Sequence, residues 1–193
     1  MDKAELRGRL CAWLRAIPAD QKDHKSRRAC RGLVSSRPFQ QASVAMMFLS
    51  MPDEIDTTAA IVAAWQRGMT VVAPCVDWDR RTMTPVVIES LDRDIAMERG
   101  GLRNPQGGRA MEVERIDLVV APWLGFDMRG HRLGRGGGFY DRFFADGHLG
   151  AVRCGLCFQE QVVEAVPVTT EDQAVDWLVT DEQVICMQDR KGV

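Results

Sequence analysis

Four apolar runs of strand length, with helical segments between the first and second and between the third and fourth, constrain this chain more than any other feature. They are 43–49, 70–74, 117–121 and 152–158, and they hold few polar side chains. A strand with one wet face alternates apolar and polar residues, whereas a continuous run is expected where both faces are covered. Between the first two runs, Ile61, Val62 and Trp65 share one side of a helical segment over 57–67 that Gly68 closes. Strand, helix, strand with short links predicts an α/β fold. A single domain over residues 1–193 is expected, with a mostly parallel sheet flanked by helices on both faces in a Rossmann-like three-layer arrangement. In such sheets, ligands sit past the carboxyl ends of the strands.

Helices are expected ahead of the sheet. Asp2 and Glu5 have the spacing of an N-terminal cap. Leu6, Leu10, Trp13 or Leu14, and Ile17 then recur at helical spacing until Pro18. A more polar helix follows over about 20–34. Further strands are expected near 82–88 and 184–186, a helix near 139–144, and a Gly/Pro/Asn-rich loop over 100–108. A length of 193 residues suits one domain, and 46% apolar with 27% charged residues is ordinary for a soluble globular chain. The longest apolar run, Val44 to Leu49, is too short to span a bilayer. The first residues offer no apolar stretch with a cleavage site, so a cytoplasmic location without a membrane partner is expected.

The six cysteines lie far apart except for Cys154 and Cys157. That pair falls in an apolar run that reads as a buried strand, where cysteine behaves as a small hydrophobe. A redox or zinc role needs a second ligand pair or a helix N-terminus, and neither is evident. His24, His131 and His148 show no metal-ligand spacing. The net charge of −2 hides an asymmetry: residues 1–37 carry ten Lys/Arg and four acids, net +6, leaving −8 for the remainder. A basic arm beside an acidic body suits a polyphosphate or nucleic acid, or is simply the solvated face of two helices. Residues 1–37 offer only one aromatic, Trp13, which sits on the apolar helix face, so nucleic acid is not expected as a partner.

The densest chemical signal is the segment from Gly125 to Asp141, with five glycines between 130 and 138, after a strand and before a helix. Glycine lets backbone N–H groups approach a ligand closely, and a helix start adds unpaired donors that suit phosphate. Arg132 and Arg135 add planar cations for phosphate oxygens, and Asp141 follows as a carboxylate able to hold magnesium. Neither the Gly-x-x-x-x-Gly-Lys-Ser/Thr nor the Gly-x-Gly-x-x-Gly fingerprint fits. A second candidate is the loop after the first strand, where Glu54 and Asp56 lie at a carboxyl end. Asp56 or Thr57 has a ready role as helix N-cap, while Glu54 is less readily explained that way.

These residues resemble a known family. Leu124-Gly-Phe-Asp127 followed by Arg132-Leu-Gly-Arg-Gly-Gly-Gly-Phe-Tyr-Asp141 is similar to the signature of the 5-formyltetrahydrofolate cyclo-ligases. Lys3 and Arg7, Phe48-Leu49-Ser50 leading to Glu54-Ile55, Pro74, and Pro167 followed by Asp176 extend the resemblance along most of the chain. The resemblance implies ATP- and Mg2+-dependent cyclisation of 5-formyltetrahydrofolate to 5,10-methenyltetrahydrofolate through a phosphorylated formyl group. It implies that Lys3, Arg7, Arg132, Gly134, Arg135, Gly136, Gly137, Gly138, Phe139 and Tyr140 hold ATP. Leu49, Glu54 and 135–139 would face the folate, Arg135 and Tyr140 would act in catalysis, and Asp141 and Asp176 would hold the metal. Three positions depart from the pattern: Phe139 for a frequent Tyr, Gly137 for an occasional Lys, and Trp123 for a small residue. A monomer is expected. The competing enzyme class is an ATP-dependent relative acting on another formyl or phosphorylated metabolite.

Overall fold

The computed structural model describes residues 2–98, 101–170 and 172–187. Three helices come first: α1 (Lys3–Ala16), α2 (Ala19–Ser35) and α3 (Arg37–Gln41). Then follow β1 (Val44–Met47), α4 (Thr58–Gln66), β2 (Thr70–Asp77), β3 (Thr82–Val87), β4 (Ile95–Met97) and β5 (Arg103–Pro105). The second half holds β6 (Leu118–Ala121), β7 (Gly125–Phe126), β8 (Arg132–Leu133), α5 (Phe139–Phe144), β9 (Val152–Leu156), β10 (Trp177–Val179) and β11 (Val184–Cys186).

Seven strands form one sheet in the order β11-β10-β9-β6-β1-β2-β3. The inner five are parallel, and β11 and β3 close the edges antiparallel. The four apolar runs supply β1, β2, β6 and β9, all inside this sheet. Strand alternation sorts their side chains: Met46, Val72 and Val119 meet on one face, and Ala45, Met47, Val71 and Val120 on the other. Helices α1 to α4 all cover the second face, through residues such as Leu10, Leu33, Phe39 and Ile61. Among the described residues, the first face carries one α-helix, the six-residue α5 with Phe143 and Phe144, plus Phe126 of β7 and connecting segments that contribute Met111 and Trp123. The three layers are therefore present but unequal. The N-terminal helices are part of the packed fold, not a separate arm.

Local details follow the side chains. Asp2 caps α1 by accepting the Glu5 N–H at 2.8 Å. At α4 the two candidate caps divide the work: Asp56 Oδ1 accepts the Thr58 N–H at 2.9 Å, and the Thr57 hydroxyl donates back to Phe48 O at 2.9 Å. The loop expected over 100–108 instead contains β5, hairpin-paired with β4. Asn104, nearly buried, fixes β5 to the edge of β2: its Oδ1 accepts the Val76 N–H at 3.0 Å and its Nδ2 donates to Val76 O at 3.1 Å. All six cysteines are free. Burial pushes the Cys154 thiol up to about 12 and raises Cys157 as well, so neither offers a thiolate. Among the described residues, no helix is long and apolar enough to cross a membrane.

One contact fixes the thin face. The fully buried Phe126 ring lies over the backbone of β9 at Gly155, where a Cβ would stand 2.3 Å from the ring. Because Phe126 is enclosed, it has no space to retreat into. Gly155→Ala is expected to destabilise the fold by about 2 kcal/mol, the scale of overpacking in a closed core. Urea unfolding of the variant checks this, and an unchanged midpoint would show that the ring moves freely.

Candidate active site

The cleft opens past the carboxyl ends of β1, β2 and β6. There the chain goes from β1 to β2 on one side and returns to β6 on the other, the crevice that open α/β sheets offer to ligands. Phe48 and Leu49 after β1, Pro74 in β2, and Pro122 and Trp123 after β6 make its apolar walls. The glycine loop between β8 and α5 forms the opposing wall.

Glycine is required at two points of that loop, Gly136 at φ +101° and Gly138 at φ +67°. Two of its carbonyls are held from outside: Arg7 Nε donates to Gly134 O at 2.8 Å, and Arg142 Nη2 to Gly137 O at 2.8 Å. Among the described residues, no protein acceptor takes the backbone N–H of any residue from Arg135 to Asp141. Guanidinium groups thus satisfy acceptors of the loop while a row of donors remains open. Gly137 has an ordinary φ, but a Cβ there would lie 2.8 Å from the Phe139 ring, so those two departures from the family pattern fit each other.

The cations and acids pair in specific ways. Arg132 is 1% exposed at its side chain, with its guanidinium 4.7 Å from the Trp123 ring centre and 5.5 Å from that of Phe144. Its carboxylate partner is Asp141, at 2.7 Å, in an ion pair whose angles are not those of a hydrogen bond, so Nε and Nη2 have no acceptor. Arg132 therefore lies behind the loop and holds Asp141; it does not line the cleft as a phosphate clamp. Arg135 does line it, with Nη2 2.7 Å from Asp53 Oδ1 and Nε 3.4 Å from Glu54 Oε1. Burial pushes the Glu54 carboxyl above its usual range, although the Met51 N–H and the Arg135 charge pull it down. Burial also pushes the Tyr140 phenol well up, with the Glu54 charge adding to it, so the hydroxyl keeps its proton.

The structure brings Leu49, Glu54, Gly134, Arg135, Gly137, Gly138, Phe139, Tyr140 and Asp141 to this one cleft. Arg7 reaches its rim by way of Gly134. Lys3 pairs with Asp172 at 2.6 Å. Asp176 is not brought to Asp141. It precedes β10 at the amino end of the sheet, where its carboxylate accepts the Arg153 N–H at 2.9 Å, so the expected pair of metal carboxylates does not assemble. Asp53, Asp172 and Arg142 are the residues that sequence reasoning missed. Lys3 and Asp172 lie 169 positions apart, and no local spacing signals such a pair.

Over residues 1–181 the chain matches the model of the 5-formyltetrahydrofolate cyclo-ligase family. The chain belongs to this family of ligases. The 5-formyltetrahydrofolate cyclo-ligase of Mus musculus is 27% identical over 190 residues, covering 93% of this chain and 94% of that protein. The cyclo-ligase of Escherichia coli (strain K12) is 27% identical over 173 residues, covering 88% and 95%. In fold, the chain is similar to the 5,10-methenyltetrahydrofolate synthetase of Aquifex aeolicus, with a TM-score of 0.85 at 23% identity over 100% of this chain and 96% of that one. The segment that resembles the family signature in sequence lies within the matched residues and includes the loop whose N–H donors stand open.

Glu54 gives the cleft a measurable pH signature. Its folded pKa lies above the ordinary 4.5, so the folded state holds the proton more tightly than the unfolded chain does. Its contribution to stability is full below that ordinary value and is lost as pH rises through the raised one. Relative to Glu54→Gln, the native protein should therefore lose melting temperature as pH rises above the ordinary glutamate value of 4.5. Parallel curves for the two proteins would contradict a buried, strained carboxylate.

Proposed function

We propose that this chain cyclises 5-formyltetrahydrofolate to 5,10-methenyltetrahydrofolate at the expense of ATP, releasing ADP and phosphate, as a monomer in the cytoplasm with no nucleic-acid partner. The observation that carries the reading is the row of N–H groups from Arg135 to Asp141 without a protein acceptor, on a loop that lines an apolar cleft together with the Arg135 guanidinium. A polyphosphate needs donors and a cation, whereas a flat bicyclic ring needs apolar walls, and here the two stand against each other. The names of the Mus musculus and Escherichia coli relatives support the choice of folate.

In this reading the formyl oxygen attacks the γ-phosphorus, and the bond to ADP breaks. N10 then attacks the formyl carbon, the carbon–oxygen bond breaks, and phosphate leaves as the ring closes. Arg135, fixed by Asp53 and Glu54, neutralises charge on the transferring group, and the loop N–H groups orient it. Tyr140 acts as a neutral hydrogen-bond donor. Glu54, more basic than an ordinary glutamate, is the carboxylate suited to take the N10 proton.

Mg2+ fits at Asp141. Among the described residues, no cluster of three or more His, Cys, Asp or Glu forms a closed cage. One cleft-facing carboxylate completed by water and phosphate oxygens is the usual way this ion is held. When bound, the ion neutralises phosphate charge. If Lys3 faces the nucleotide, the carboxylate beside it is Asp172 and not Asp176.

The test mixes the pure protein with ATP, Mg2+ and 5-formyltetrahydrofolate and follows the near-ultraviolet absorbance of the methenyl product. The absence of an ATP-dependent signal would move the reading to another formyl or phosphorylated substrate. Arg135→Ala is expected to lower kcat by about a hundredfold, as one lost donor to a developing charge does. Asp141→Asn should lose most turnover, recover part of it as Mg2+ is raised, and also melt earlier, because it removes the carboxylate partner of buried Arg132. Earlier melting without any Mg2+ dependence would leave Asp141 a structural counter-ion alone.

A further inference from the structure

We propose that Arg103 binds a glutamate carboxylate of the folate at the cleft mouth and so sets the preference for the acidic tail of the substrate; the inference rests on the folate reading above. Two guanidinium groups line the cleft, those of Arg135 and Arg103. Arg135 belongs to the glycine loop and is already engaged by Asp53 and Glu54. Arg103 is half-buried, and among the described residues no carboxylate pairs with it and no carbonyl accepts from it. A partly desolvated guanidinium without a partner is costly in a fold that pairs its other cleft cations.

Its position is fixed by the neighbour. Asn104 is sewn to both backbone groups of Val76 and also donates to Glu98 Oε1 at 2.8 Å, which clamps β5 against β2. Strand alternation then turns Arg103 away from that clamp, toward the cleft. Arg103 is also shared with the adjoining groove, where it stands with Met51, Glu54 and the exposed Met97, its partner across the hairpin. The deeper walls, Phe48, Leu49, Pro74 and Trp123, are apolar and suit the rings of the substrate. A folate seated there has two carboxylates on the far end of its benzoyl group. The unpaired cation on the wall shared with the groove is their natural partner. The two guanidiniums thus divide the substrates, Arg135 toward the phosphoryl group and Arg103 toward the tail.

The experiment compares the full-length protein with Arg103→Met, which keeps the apolar stem, and Arg103→Lys, which keeps the charge. Steady-state kinetics with 5-formyltetrahydrofolate should show KM for the folate raised about tenfold in Arg103→Met, the scale of one charge-assisted hydrogen bond. kcat and KM for ATP should stay near those of the native protein, and Arg103→Lys should recover part of the loss. An unchanged folate KM, or a rise in KM for ATP instead, would overturn the proposal, the latter by assigning Arg103 to the nucleotide. A second measurement stands apart from turnover: quenching of the cleft tryptophans Trp78 and Trp123 by 5-formyltetrahydrofolate and by a reduced pterin that lacks the benzoyl-glutamate tail. Arg103→Met should bind the pterin as the native protein does and lose affinity only for the tailed ligand. If the native protein forms no product yet the tail dependence holds, the activity reading fails and Arg103 stands. If product forms and the two ligands respond alike to the substitution, Arg103 fails and the activity stands.

Discussion

A guanidinium buried to 1% exposure has to be answered within the fold, and Arg132 is answered by Asp141 and two aromatic faces. The pair spans the glycine loop, with Arg132 in β8 before it and Asp141 in α5 after it. Closing that distance holds the two ends of the loop together. Trp123 contributes from a third element, the turn after β6, and edges against Phe126 at 5.5 Å and Tyr140 at 5.3 Å. A small residue there would leave the guanidinium without its flat neighbour. The departure at Trp123 thus supports the loop from beneath, and the same ring presents its other side to the cleft.

The unequal layers explain why the site lies where it does. Four helices on one face leave the other face to loops, so the segments after β1 and β6 are free to fold over the sheet ends. The register that makes this possible is set far from the cleft: Asp117 Oδ2 accepts the N–H groups of Ser43 and Val44 at 2.8 Å, joining the amino ends of β6 and β1. With those ends locked in parallel, the opposite ends of the same strands must emerge side by side. That is where Phe48, Leu49 and Trp123 meet.

The parts of the fold legible in the sequence were those decided locally. Runs such as 44–49 and 118–121 announce strands covered on both faces because no polar side chain interrupts them, and Phe139–Phe144 announces a helix after glycines that cannot continue a strand. β5 and β10 were not legible. Each is three residues long, and their pairing depends on hydrogen bonds from distant partners such as Val76 and Cys154. The same limit governs the site. Glu54, Arg135 and Tyr140 sit within motifs and land together, whereas Asp172 near Lys3, and the burial of Arg132, are facts of tertiary packing. Asp176 was assigned by resemblance alone, and the structure places it where the chain enters β10 from the amino end.

The charge asymmetry of the sequence resolves in the same way. A +6 segment beside a −8 body reads either as an arm suited to a polyanion or as the solvated face of two helices. In the fold, two of those cations are met by acids of the body: Lys3 by Asp172, and Lys25 by Asp181 at 2.9 Å and by Glu160 at 2.9 Å. Arg7 meets a loop carbonyl, not an acid. These contacts tie α1 and α2 to the body at the glycine loop, at the segment after β9 and at the turn after β10. The N-terminal helices therefore serve as a brace, with Leu6, Leu10 and Leu14 buried beneath the charged contacts. A Cβ at Gly125 would stand 2.7 Å from Leu10 Cδ1, so the start of β7 is shaped to receive α1. Position of the loop and position of the first helix are accordingly one problem, solved by an apolar contact at Gly125 and a hydrogen bond at Gly134.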